Sequence, residues 1–164
     1  IGATAADCVG ITWDMGNSIP VPDTPETFLA KSLGFIGNVH LKDYRIFRSE
    51  KGYYLSRCAL GDGVVDFGPL LKQLIRCRGS VPMAIELGAQ NVRHADIYKP
   101  AYWEAYRPTL VTEKIDFFSF LNRNLQDGDG WMSLWERQFP GNEIVATEME
   151  EVKRSVSFLE QLEI

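Results

Sequence analysis

Three apolar stretches of strand length each end in a residue that can ligate a divalent cation: Val9-Gly10-Ile11-Thr12-Trp13-Asp14, Ile36-Gly37-Asn38-Val39-His40 and Pro82-Met83-Ala84-Ile85-Glu86. A carboxylate, an imidazole and a second carboxylate form a hard-to-borderline donor set that suits Mg, Mn, Co or Zn. If the stretches lie side by side as parallel strands, the three side chains gather at one end of a sheet. Active sites of α/β proteins sit beyond the carboxyl ends of such strands. Any one acidic residue in that position can serve only to begin a loop. The expectation therefore rests on the coincidence of Asp14, His40 and Glu86.

The intervening elements must place those ends together. Residues 9–14 read as an apolar strand of the kind a doubly covered parallel sheet uses. Met15 to Ser18 is a loop, followed by the breakers Pro20, Pro22 and Pro25. Thr24 is positioned to cap a helix over about 26–33, with Pro25 at its first position and Gly34 at its end. A second strand follows over 35–41. Residues 42–62 read as a long, irregular, charged connection carrying Tyr44, Phe47, Tyr53 and Tyr54. Leu60-Gly61-Asp62-Gly63 is a turn, and Asp66 or a neighbour caps a helix over about 67–78. Phe67, Leu70, Leu71, Leu74 and Ile75 give that helix one apolar face. Gly79 closes it, and 82–87 is the third strand. Strand, helix, strand, helix, strand implies parallel pairing with right-handed crossovers.

Beyond Glu86 the pattern weakens. A polar loop runs from Gly88 to about Pro108, then a helix over about 110–124. Trp131, Trp135 and Phe139 suggest a short apolar patch. A last helix over about 143–162 is expected to bury Val152, Val156, Leu159 and Leu162. We divide the chain into 1–125 and a helical extension, 126–164, packed on the same domain.

Composition sets outer bounds. With 164 residues, 45% hydrophobic and 24% charged, the chain has the size and make-up of one globular domain with one core. A net charge of -5 argues against a general nucleic-acid or membrane-surface role, though local Lys/Arg groups can still hold an anionic substrate. Cys8, Cys58 and Cys77 form no CxxC pair and read as free thiols of a reducing compartment, hence a cytoplasmic expectation. No apolar run approaches the ~20 residues that span a membrane. The chain opens with Ile1 and not Met, and enters a strand almost at once, so we expect a fragment or a processed chain. No P-loop, GxGxxG, GxSxG or HExxH motif is present.

Four segments together resemble one family. Asp14-Met15-Gly16-Asn17 resembles the Asp-x-Gly-His/Asn element of the xylose isomerase-like TIM-barrel superfamily, which holds the sugar phosphate isomerases and epimerases. His40-Leu41-Lys42-Asp43 resembles its His-x-Lys-Asp element. Gly61-Asp62-Gly63-Val64-Val65-Asp66-Phe67 resembles its Gly-x-Gly-x-x-Asp-Phe element, and Ala84-Ile85-Glu86 its closing Ile-Glu strand. Order and spacing agree over 9 to about 90; residues 91–164 match only loosely.

The resemblance implies an α/β fold, the C-terminal part of a (β/α)8 barrel, with roughly three of its eight strands in this chain. It implies one divalent metal ion (Mn, Mg, Co or Zn) held by Glu, Asp, His and Glu. Asp14, His40 and Glu86 match the last three, and the first Glu is expected upstream of Ile1. It implies isomerisation or epimerisation of a small sugar or hydroxy-keto substrate, by proton transfer alpha to a carbonyl through an enediolate. Glu86 would move that proton. Asn17 would bond a sugar hydroxyl, a plain turn residue being the alternative. Lys42, Arg45 or Arg48 would bind a sugar oxygen, carboxylate or phosphate, against a solvated charged loop. Relatives often form dimers or tetramers, so a homo-oligomer is expected. Two other readings stand beside this one. The first is a non-catalytic, truncated barrel that binds a sugar or a protein. The second is an endonuclease-IV-like hydrolase of abasic DNA, poorly matched by a chain with only His40 and His94.

Overall fold

The computed structural model describes residues 9–88, 91–106 and 110–164; Cys8 and Pro108 lie outside the described residues. In chain order the elements are β1 (Ile11–Asp14), a 3-10 turn (Met15–Ser18), α1 (Pro25–Ser32), β2 (Ile36–Leu41), β3 (Asp43–Ser49), β4 (Gly52–Cys58), α2 (Phe67–Arg78), β5 (Met83–Ile85), β6 (Arg93–Ala95), α3 (Pro100–Glu104), α4 (Val111–Asn124), β7 (Leu125–Gln126) and α5 (Gly141–Gln161). The fold is mixed α/β, with two sheets and no closed barrel among the described residues. No helix among them is long and apolar enough to cross a membrane.

The first sheet has the order β1-β2-β5 and is parallel throughout. Asp14 stands opposite His40, and His40 opposite Ala84. Side chains alternate along a strand, so each strand divides between two faces. Trp13, Val39 and Leu41 point into the core, where Trp13 stacks on Phe28 of α1 with ring centroids 6.1 Å apart. Thr12, Asp14, Asn38, His40 and Ala84 share the other face, which is exposed or half-buried. β1 and β5 each have one edge with no partner strand among the described residues.

The helices begin and end as their residues dictate. The Thr24 hydroxyl accepts from Thr27 N at 3.1 Å, with Pro25 at the first helical position. α2 buries Phe67, Leu70, Leu71 and Leu74, each contributing about 1.5–3 kcal/mol by leaving water, while Ile75 stays at the rim.

Residues 42–62 are not an irregular connection. They form the antiparallel hairpin β3–β4, in full register from Asp43 opposite Cys58 to Ser49 opposite Gly52. The turn is Glu50-Lys51, which carries none of the Asn-Gly or Asp-Gly signals that mark hairpins. The hairpin is the centre of the second sheet, β6-β4-β3-β7. β6 and α3 likewise form inside the segment expected to be a polar loop. Gly52 has φ +149°, and a Cβ there would lie 2.1 Å from Ala95 O of the neighbouring β6.

Asp43 ties this hairpin to the glycine turn. Its buried carboxylate accepts from five backbone N–H groups, those of Tyr44, Gly61, Gly63, Val64 and Val65, at 2.9–3.1 Å. Burial pushes its pKa up, and those hydrogen bonds pull the other way. A Cβ on Gly63 would meet Asp43 Oδ1 at 2.2 Å, so the turn needs glycine there.

α5 meets the core with only part of the face its apolar spacing suggests: Leu159 and Leu162 pack against the core. Val152 and Val156 are exposed, and Ser155 is the buried residue. The Ser155 hydroxyl accepts from Leu60 N at 3.0 Å and donates to Glu151 O at 2.7 Å. Phe158 packs edge-on against Phe67. Docking onto a polar turn through the Ser155 hydroxyl and the Phe158 ring, beside Leu159 and Leu162, shifts the buried stripe away from Val152 and Val156.

Candidate metal centre

The carboxyl ends of β1, β2 and β5 bring Asp14, His40 and Glu86 together. One ligating atom from each lies within 4.8 Å of the other two. Parallel register places Asp14 beside His40 directly. Glu86 follows β5 by one residue, and its N–H donates to Leu41 O at 2.9 Å, carrying the ladder past the strand. That bond turns the Glu86 side chain onto the face that carries Asp14 and His40. His40 Nδ1 lies 3.0 Å from Glu86 Oε2. With the Nδ1 proton donated to that carboxylate, the Nε2 lone pair is left to ligate.

Lys42 lies against both carboxylates. Its ammonium donates to Asp14 Oδ2 at 2.7 Å and to Glu86 Oε1 at 2.6 Å. Its side chain is 2% exposed, against 15% for Asp14 and 37% for Glu86. A buried ammonium is tolerated only when paired in this way. Burial raises Asp14 above the ordinary aspartate value, and the Lys42 hydrogen bond and charge offset part of that. Burial also works to raise Glu86, but there the bond and charge of Lys42 prevail and hold the carboxyl below the ordinary glutamate value. Two neighbouring carboxyls are thus driven in opposite directions.

The donor set fits a divalent cation on one further observation. Asp14 Oδ1 is buried and has no hydrogen-bond partner among the described residues. A buried carboxylate oxygen without a donor is costly unless a cation meets it.

The other sequence-derived candidates fall in different places. Asn17, on the 3-10 turn after β1, donates to Asp14 Oδ2 at 2.5 Å and accepts from Arg93 Nη1 at 2.8 Å. Both ends of its amide are therefore engaged within the protein. Arg45 is turned to Asp62, bonding its carbonyl at 3.2 Å and its carboxylate at 3.1 Å; Arg154 of α5 bonds the same carboxylate. Arg48 pairs with Asp127 at 2.9 Å on the surface. Neither Arg45 nor Arg48 bonds any of the three candidate ligands. His94 sets its ring edge-on to Tyr54, with centroids 4.4 Å apart, and Trp131 stacks on the same tyrosine.

Sequence reasoning overlooked Arg93. It lies on a three-residue strand inside a polar stretch, too short for any periodicity to register. The position of Lys42 after the His40 strand makes it a candidate, but its burial between two acids depends on the β2–β3 corner and has no local signature.

No family model, no curated protein and no solved structure matches this chain.

Proposed function

We propose that this chain carries the site of a divalent-metal-dependent isomerase or epimerase, acting on a small sugar or hydroxy-keto acid by moving a proton alpha to the carbonyl. The observation that supports this most is the convergence of Asp14, His40 and Glu86 at the carboxyl ends of three adjacent parallel strands. We read that sheet as part of a (β/α)8 barrel. Its helix-backed face would be the barrel wall, and its polar face the interior. The unpaired edges of β1 and β5 are then where further parallel strands would join, one of them bringing a fourth ligand.

A bound divalent cation supplies Lewis-acid polarisation of the substrate carbonyl and of the enediolate. The chain's own residues supply the rest. Asp14 and His40 hold the ion, and Glu86 both ligates and moves the proton. Lys42 keeps Glu86 ionised, the form a base requires, and fixes its Oε1 so that the carboxylate does not swing away. Asn17 holds Asp14 in place and leaves Oδ1 for the metal.

The test is a Mn2+ titration followed by free-ion electron paramagnetic resonance, joined to an aldose–ketose and epimerisation assay. The wild type is expected to bind one ion. His40→Ala is expected to weaken binding by about tenfold or more, as ligand-shell losses do. Glu86→Gln is expected to abolish turnover. Unchanged turnover in Glu86→Gln would remove the role assigned here.

One observation favours a second reading, a sugar- or protein-binding barrel without catalysis: the Lys42 ammonium already occupies one oxygen of each carboxylate. The same titration separates the two, since this reading expects no Mn2+ binding in the wild type.

A further inference from the structure

Arginines near the candidate centre differ in what they touch. Arg45 is paired with Asp62, Arg48 with Asp127, and Arg57 donates to Gly88 O at 3.4 Å. Lys42 is buried and committed to Asp14 and Glu86. Arg93 is exposed, and its bond is to a neutral oxygen, Oδ1 of Asn17. It makes no ion pair among the described residues. A guanidinium carries five N–H donors in a planar fork suited to a carboxylate or phosphate, and most of that fork is open here.

Its direction is fixed by the fold. β6 pairs with β4, with Arg93 opposite Leu55 and His94 opposite Tyr54. Neighbouring strand residues point to opposite faces. His94 turns to the Tyr54 ring, so Arg93 turns the other way, toward the end of the first sheet. There it meets Asn17, whose amide nitrogen is bonded to Asp14. The guanidinium is therefore one amide away from a candidate metal ligand, at the mouth of the site.

We infer that Arg93 is the anion anchor of this site, and that the substrate is an acid or a phosphate ester, not a neutral sugar. This rests on the isomerase or epimerase reading above. Asn17 sets the reach of the fork, since its amide is held at both ends. The substrate's carboxylate or phosphate would lie against the open guanidinium donors, and its carbonyl end toward Asp14, His40 and Glu86. Recognition then belongs to β6, an element of the second sheet, and proton transfer to the first.

The experiment titrates the full chain with glycolate, inorganic phosphate and ethylene glycol, each with and without Mn2+, by calorimetry. One of the two anions is expected to bind the wild type, and the tighter one identifies the substrate's charged group as carboxylate or phosphate. Arg93→Gln is expected to weaken that anion by about tenfold or more, the usual loss for a charge-assisted bond. Arg93→Lys should recover part of it, and Mn2+ affinity should stay within about twofold in both variants, as the exposed side chain makes no contact with the ligands. An unchanged melting temperature establishes that the variants fold. Equal anion affinity in wild type and Arg93→Gln overturns the inference, as does failure of both anions to bind the wild type. Loss of Mn2+ binding in the wild type is a separate result. It removes the isomerase or epimerase reading, and the metal-free anion titrations still decide whether Arg93 holds an anion.

Discussion

Lys42 Nζ lies 2.6 Å from Glu86 Oε1, a bond between residues 44 positions apart that links the β2–β3 corner to the end of β5. With its second bond to Asp14, the ammonium closes the carboxyl ends of the parallel sheet. This lysine both supports the fold and occupies carboxylate oxygens that a metal could use.

Lys42→Met should therefore act in two directions. Removing the ammonium leaves two acids side by side without a counter-charge, and stability at pH 7 should fall by about 1–3 kcal/mol, less than for a fully buried pair because Glu86 is partly exposed. Urea denaturation measures this. The same variant should bind Mn2+ more tightly than the wild type, because a competing cation is gone. Weaker binding would mean that Lys42 organises the ligands more than it competes for them.

Asp43→Ala removes an acceptor from five backbone N–H groups at once, of which Val64 keeps a second one, Tyr44 O at 3.0 Å. The loop can open to let water reach the other four, so the expected loss is about 3 kcal/mol and not the sum of four orphaned donors. Amide hydrogen exchange should rise at Gly61, Gly63 and Val65 and stay unchanged in α2. Uniform protection in the variant would show that the turn holds itself.

The thiols should separate by burial. Cys58 is buried and its pKa is pushed up, chiefly by that burial and also by Asp43 nearby, so it is neither accessible nor ionised near neutrality. Cys77 is exposed at the end of α2. Iodoacetamide at pH 8 should label Cys77 in the native protein and reach Cys58 only after denaturant is added. Peptide mass mapping reads both sites, and native labelling of Cys58 would contradict the packing of β4.

Glu113 should titrate low. Its carboxylate accepts from Lys31 at 2.9 Å and from Leu110 N at 3.0 Å, and the Lys31 hydrogen bond is the larger cause of its lowered pKa. A carboxyl whose folded pKa is depressed stabilises above its unfolded value, about 4.3 for Glu, and that contribution fades as pH falls through the folded value. A carbon-detected titration should place the Glu113 midpoint below the ordinary one, and Lys31→Met should move it upward. Identical midpoints would show that the pair does not form in solution.

Local signals in the chain were enough for the three parallel strands, for the Thr24 cap and α1, for α2 between Phe67 and Arg78, and for the proposal that Asp14, His40 and Glu86 meet. Each of these depends on short-range chemistry: apolar runs, a capping hydroxyl, a closing glycine, one periodic face. The hairpin of β3 and β4 was not legible, because Glu50-Lys51 is no turn signal and its pairing is settled across the chain by Asp43 and by β6. The burial of Lys42, the diversion of Arg45 and Arg48 to Asp62 and Asp127, and the approach of Arg93 to Asn17 were decided by tertiary structure alone. A long charged side chain has no fixed partner until the backbone places one within reach. The convergence of Asp14, His40 and Glu86 could be read from the chain because strand ends dictate where short side chains go; the cationic side chains around them could not.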